Sequence, residues 1–178
     1  MKSGVVKVED NVLKFRKRLN ALTEKAVYVG VPASKAPRQD DIMNNATLAY
    51  IHDKGSPAAN IPARPFMQPG IEAVRDRINN LLKKGAAGAL HGDTEAVDRA
   101  FNQAGLIAQA SIRGKINEGI PPPLATSTLM GRISAGTSVQ GAKDELARRL
   151  KGDAPSTEYA KPLIATGQLR NSISYVIR

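Results

Sequence analysis

Ala46-Thr47-Leu48-Ala49-Tyr50-Ile51-His52-Asp53-Lys54-Gly55-Ser56, followed by Asn60-Ile61-Pro62-Ala63-Arg64-Pro65-Phe66, sets a short amphipathic helix against a stiff, proline-bracketed link. Each proline fixes its own φ near about −65° and drives the preceding residue toward extended geometry, which predicts extended backbone at Ile61 and Arg64. The helix is expected over 46–54, capped by Asn45 or Thr47, closed by Gly55, and facing inward with Leu48, Ile51 and Tyr50. Beyond the link, Pro69 suits the first turn of a helix. Ile71, Val74, Ile78, Leu81 and Leu82 then form an apolar stripe as far as Lys84, with Glu72, Arg75, Asp76 and Arg77 outside. The link therefore reads as a rigid elbow between two helices.

Working outward, Val12, Phe15, Leu19 and Leu22 recur at helical spacing, with Lys14, Arg16, Lys17 and Arg18 mostly on the other side, so residues 9–24 are expected to form an amphipathic helix. Ala26 to Val31 alternates in β-favouring residues and stops at Pro32, as a strand should, and 32–42 reads as a loop. Gly85, Gly88 and Gly92 are expected to break the chain before a long helix capped by Asp93 or Thr94. That helix runs to Asn117 and places Val97, Phe101, Ala104, Ala108 and Ile112 on one face. Residues 118–161 read as an extended arm or flap with one short helix near 142–151, where Leu146 and Leu150 form a narrow apolar edge. Near the C-terminus a turn capped by Thr166, with Leu169 inward, leads to Ser172–Ile177, whose alternation predicts a strand pairing with 26–31. The expected fold class is α+β: one domain over 1–178, in which a small antiparallel sheet packs with an N-terminal helix and two longer helices, plus the arm.

Composition narrows function. The chain has 178 residues, no cysteine and a formal charge of +10, so thiolate metal sites, disulfides and cysteine nucleophiles are excluded. Neither a signal peptide nor a membrane-length apolar run is visible, so the expectation is a soluble protein that is not exported and has no membrane partner. With three Phe, four Tyr and no Trp, a single-strand reader built on stacked aromatics has little to stack with. The basic excess is spread along the chain, densest at Lys14, Arg16, Lys17 and Arg18. Such a face either solvates a helix or meets phosphates without reading sequence.

No catalytic constellation is legible. His52 and His91 do not sit in ligand-spaced motifs and read as surface, cap or loop residues. The glycines at 85, 88 and 92 follow a helix and lack the Gly-Lys-Ser/Thr ending of a phosphate loop; Gly131-Arg132-Ile133-Ser134-Ala135-Gly136 lacks the strand and helix of a dinucleotide fingerprint. The expectation is therefore a non-enzyme without cofactor or metal.

The opening helix and strand, then Leu48-Ala49-Tyr50-Ile51-His52-Asp53-Lys54-Gly55, Ile61-Pro62-Ala63-Arg64-Pro65-Phe66-Met67, a helix, and Pro162-Leu163-Ile164-Ala165-Thr166-Gly167-Gln168-Leu169-Arg170-Asn171-Ser172-Ile173 together resemble the tail-completion, or neck, proteins of long-tailed bacteriophages. Members of that family are also called head-to-tail joining, minor tail or virion morphogenesis proteins. Pro122-Pro123-Leu124-Ala125, with Ser127-Thr128-Leu129, is similar to a further stretch of the family, ahead of a variable basic region from Met130 to Lys161. The resemblance implies a small α+β structural protein of the virion, made in the host cytoplasm. It also implies a homo-oligomeric ring of six copies, contacting tail-terminator or tail-tube proteins on one side and head-closure or connector proteins on the other. On this reading Ile61, Arg64, Phe66, Leu129 and Arg170 are candidate subunit or partner contacts. Lys14, Arg16, Lys17, Arg18, Arg148, Arg149 and Lys151 are candidates for nonspecific contact with genomic DNA in a channel. The residues themselves leave alternatives open: Arg64 reads equally as a brace for the next helix, and Ile61 and Phe66 as local core. A second function is nonspecific DNA binding through the basic first helix.

Overall fold

A computed structural model describes residues 9–37 and 43–178. Helix α1 (Glu9–Thr23) leads into strand β1 (Val27–Gly30). After a short 3-10 turn at Ala33–Lys35 come α2 (Asn45–Lys54), a second 3-10 turn at Pro57–Ala59, α3 (Met67–Glu72), α4 (Arg75–Leu90) and α5 (Ala96–Asn117). Helices α6 (Thr126–Ser134), α7 (Val139–Leu150) and α8 (Gln168–Ser172) precede strand β2 (Ser174–Ile177). The fold is α+β, with helices packed on a small antiparallel sheet.

The two strands pair as the alternation predicts, with Val27 opposite Ile177 and Gly30 opposite Ser174. The amide of Ala26 extends the ladder by donating to the Arg178 carbonyl at 2.6 Å. Helix α5 carries the core face read from the sequence: Val97, Ala104, Ala108 and Ile112 are buried. It lies against both strands, α3 and α4. The main core gathers Ala49, Phe66, Ile112, Ile116, Ile120, Leu169 and Ile173, so it joins α2, the elbow, α5 and the C-terminal segment.

The single helix expected from Pro69 to Lys84 is two helices, separated at Ala73 and Val74, and the second continues to Leu90. Gly85 and Gly88 do not break it. A methyl group at Gly85 would run into the Cβ of Ala100, and one at Gly88 would come within 2.8 Å of the Cβ of Ala96. These glycines let α4 lie close on α5, and that packing outweighs their low helix propensity.

Residues 118–161 hold two helices where the sequence suggested one. Helix α6 packs on α7, and Leu124, Leu129, Ala142 and Ala160 form a second small core with Ile133 and Leu146 against it. Leu150 does not join it and is 89% exposed. Within α1, Val12 and Phe15 are exposed rather than inward, while the side chains of Leu19 and Leu22 lie outside those described. Tyr50 likewise points out at 68% exposure. The cap of α2 is Asn44, whose side chain accepts from the Thr47 amide at 2.8 Å. Asn45, one residue on, is buried and donates to the Lys35 carbonyl. The long helix likewise starts later than read, with Asp93 accepting from the Glu95 amide at 3.1 Å.

Candidate functional site

The elbow is built by local rules and locked by one carboxylate. Gly55 ends α2 at φ +80°, where a Cβ would stand 2.8 Å from the amide nitrogen of Ala63. Only glycine meets both conditions comfortably. Ser56 and Ile61 then close a small loop by exchanging backbone hydrogen bonds of 2.8 and 2.9 Å, and the two prolines carry the chain outward. Asp53, 6% exposed, accepts from the amides of Phe66 at 2.9 Å and Met67 at 3.0 Å, and its other oxygen meets Lys54 at 3.0 Å. One side chain thereby supplies the acceptors that the start of α3 lacks. Burial opposes its ionisation, but the amides of Met67 and Phe66 together with Lys54 outweigh it and hold the carboxyl below its usual range.

Arg64 is 6% exposed. Its amide donates to the His52 carbonyl at 2.8 Å, and its guanidinium donates to the Pro122 carbonyl through Nη2 at 2.8 Å and Nε at 3.2 Å. The guanidinium thus ties the elbow to the segment leading into α6. Phe66 and Leu129 are fully buried, Phe66 in the main core and Leu129 in the second. They are packing residues, which corrects their reading as direct partner contacts, and Arg64 likewise presents little surface. Of that group Ile61 and Arg170 remain partly exposed. Arg170 donates to the side chain of Asn117 at 3.1 Å.

Between α2, the elbow, α6 and the turn before α8 lies a groove of about 430 Å³. Leu48 and His52 line it from α2, Arg64 from the elbow, Leu124, Thr128 and Arg132 from the second core, and Leu163 and Thr166–Leu169 from the C-terminal segment. Arg132, 8% exposed, donates to the Lys161 carbonyl at 3.0 Å. Burial pushes both guanidiniums below the ordinary arginine range, and the charge of Arg64 adds to the push on Arg132. Thr166, expected as the cap of the last turn, accepts from the Gln168 amide at 3.3 Å, while Gly167 holds the capping position itself.

The basic residues divide into two kinds. Lys14, Arg16, Lys17 and Lys151 are exposed. Arg18 donates to the Leu90 carbonyl at 2.9 Å and so closes the C-terminus of α4. Arg148 and Arg149 both serve Glu145, which is fully buried in the second core region. Arg149 Nε reaches it at 2.9 Å and Arg149 Nη2 also donates to the Leu124 carbonyl; Arg148 Nη1 reaches it at 3.4 Å, and the same guanidinium lies 5.6 Å from the centroid of the Tyr159 ring. These three arginines each make contacts within the fold, whereas Lys14, Arg16, Lys17 and Lys151 are the exposed members of the set expected near DNA.

Sequence reasoning missed Arg132, Asp53 and Glu145. Arg132 was visible as the polar member of the Leu129, Arg132, Ile133 face of α6, a spacing that puts all three on one side of a helix. Asp53 was visible as a carboxylate just ahead of the glycine that ends α2.

Among the described residues no helix is long and apolar enough to cross a membrane, and no cluster of three or more His, Cys, Asp or Glu side chains is placed to hold a metal ion. No family model matches the chain, and no solved structure matches it. An uncharacterised protein of Methanocaldococcus jannaschii is 39% identical over 46 residues, which is 26% of this chain and 34% of that protein. The matched stretch thus spans about a third of the relative's length.

Proposed function

We propose that the chain is a structural protein of a long-tailed bacteriophage virion, a neck or tail-completion component that forms a homo-oligomeric ring between the tail tube and the head connector. The observation that carries this reading is the meeting of the two motif segments. The elbow and the Pro162–Ile173 ending lie about a hundred residues apart in sequence, yet Phe66 of one and Leu169 and Ile173 of the other share the main core. Segments that form one pattern in a family should build one structural unit, and these do. The clamped elbow gives that unit a fixed shape, as a subunit needs when each copy must present two unlike faces to its neighbours. Of the five residues expected at subunit or partner contacts, Ile61 and Arg170 are the two that keep partly exposed surface for them.

Mass photometry and negative-stain imaging of the purified protein, alone and mixed with purified phage tails, test the reading. The expected result is a closed ring of uniform size that appears at tail ends. A strict monomer at all concentrations, with tails present, overturns it.

Exposed Lys14, Arg16 and Lys17 on α1 favour a second reading, nonspecific DNA binding. If the three contact phosphates, log affinity should fall against log salt with a slope of about −2.7. A filter-binding titration that finds no salt-sensitive affinity at low ionic strength removes this reading.

A further inference from the structure

Two buried like charges that line one groove each lose hydration and raise each other's cost, and an opposing charge brought between them relieves both. Arg64 and Arg132 are such a pair, 6% and 8% exposed. Among the described residues neither meets a carboxylate; their hydrogen bonds go to the carbonyls of Pro122 and Lys161. A guanidinium has five N–H donors. Arg64 aims two nitrogens at one oxygen and Arg132 uses a single nitrogen, so most of their donors are unspent. The unspent nitrogens are not sealed in the protein, and both residues line the groove. The rest of its wall is largely apolar, with Leu48, Leu124 and Leu163 beside the two charges.

We propose that this groove docks an acidic, apolar segment of a partner protein, in which one Asp or Glu carboxylate bridges Arg64 and Arg132 while its apolar neighbours cover Leu48, Leu124 and Leu163. A planar guanidinium fork matches a carboxylate in two-point geometry, and a water-excluding wall strengthens the contact. A volume of about 430 Å³ lies within the range of sites that enclose ligands of several side chains' size. A nucleic-acid backbone is the poorer fit, because it needs a row of exposed cations along its path rather than two buried ones in an apolar wall. The net charge of +10 also draws an acidic partner at long range. The proposal holds whether or not the chain forms a ring.

The test follows arginine Nε–Hε and backbone amide resonances of the full chain during titration with acetyl-Leu-Glu-Leu-amide, its Gln counterpart and inorganic phosphate. Saturable shifts at Arg64, Arg132 and Gly167 are expected with the Glu peptide, at least about tenfold weaker with the Gln peptide, and weakened to the same degree in Arg132→Gln. Thr128→Glu, on an exposed residue at the groove rim, provides a second reading that does not depend on removing an arginine. It should raise the melting temperature by placing a carboxylate beside two guanidiniums that meet none among the described residues, and it should block the Glu peptide. Equal binding of the two peptides, no binding of either, or a Thr128→Glu variant that melts lower and still binds overturns the proposal. Phosphate shifting the same resonances as strongly as the Glu peptide overturns it in favour of a free inorganic anion.

Discussion

Asp53 shows how one side chain turns a flexible corner into a fixed one. Two backbone amides of the chain entering α3, one of them at the buried Phe66, depend on a single oxygen. Asp53→Ala leaves both without an acceptor and should cost about 2 kcal/mol in urea denaturation, within the range for unpaired buried polar groups. Asp53→Asn keeps an acceptor of the same shape and should cost about half as much, so its loss relative to wild type measures the charge and the further loss in Asp53→Ala measures the acceptor. The carboxyl is held below its usual range in the folded protein, against about 3.9 when unfolded. Its contribution is therefore complete above that unfolded value and disappears as the pH falls through the folded one. A series of denaturation curves between about pH 6 and about pH 2, values spanning that window on the scale of ordinary carboxylates, should show wild type losing stability on the acid side. Asp53→Asn should lose less.

At the scale of elements, glycines placed alike in helices have opposite roles. Gly85 sits where α4 meets Ala100 of α5, whereas a methyl group at Gly114 on α5 would have nothing within 4 Å of it. Alanine is favoured over glycine in a helix by about 1 kcal/mol. Gly114→Ala should therefore stabilise the protein by up to that amount, while Gly85→Ala should destabilise it, because the collision with α5 exceeds the gain in propensity. Thermal melts of the two variants should move in opposite directions. The same contrast explains what the sequence made legible. Long periodic stretches such as α5 and the alternating ends that become β1 and β2 were readable, since their pattern repeats several times. Gly85 read as a break because close helix packing has no local signature. Helix α6 was missed because its nine residues are rich in Ser, Thr and Gly and bury little beyond Leu129, Arg132 and Ile133. At the candidate site, the two prolines made Arg64 conspicuous. Arg132 gains its meaning only from Arg64, far away along the chain, which no local pattern encodes.

Across the whole molecule, two cores of different size share one chain. The larger runs through α5, and the smaller lies between α6 and α7. They are joined by polar ties: Arg64 to the Pro122 carbonyl, Arg132 to the Lys161 carbonyl, Lys161 to the Asn117 carbonyl at 2.7 Å, and Ser138 to the Ala165 carbonyl at 2.8 Å. Such an arrangement allows the smaller unit to open while the larger stays folded. Glu145 is where the smaller unit is most tightly tied, because besides its two arginines it accepts from the Ser156 amide at 2.7 Å and so pins the chain leaving α7. Burial opposes its charge, yet that amide with Arg149 and Arg148 holds the carboxyl below its usual range. Its contribution is thus present above the unfolded value of about 4.3 and is lost as the pH falls through the folded one. Glu145→Ala strips two arginines of their shared partner and should cost the smaller unit about 3 kcal/mol. Native-state hydrogen exchange reads this directly: amides of α7 should lose protection by roughly that free energy, while those of α5 around Ala104 and Ala108 hardly change. Equal losses in both helices would instead mean that the two cores unfold as one unit. In that case the polar ties between them, rather than Glu145 alone, set the cooperativity of the chain.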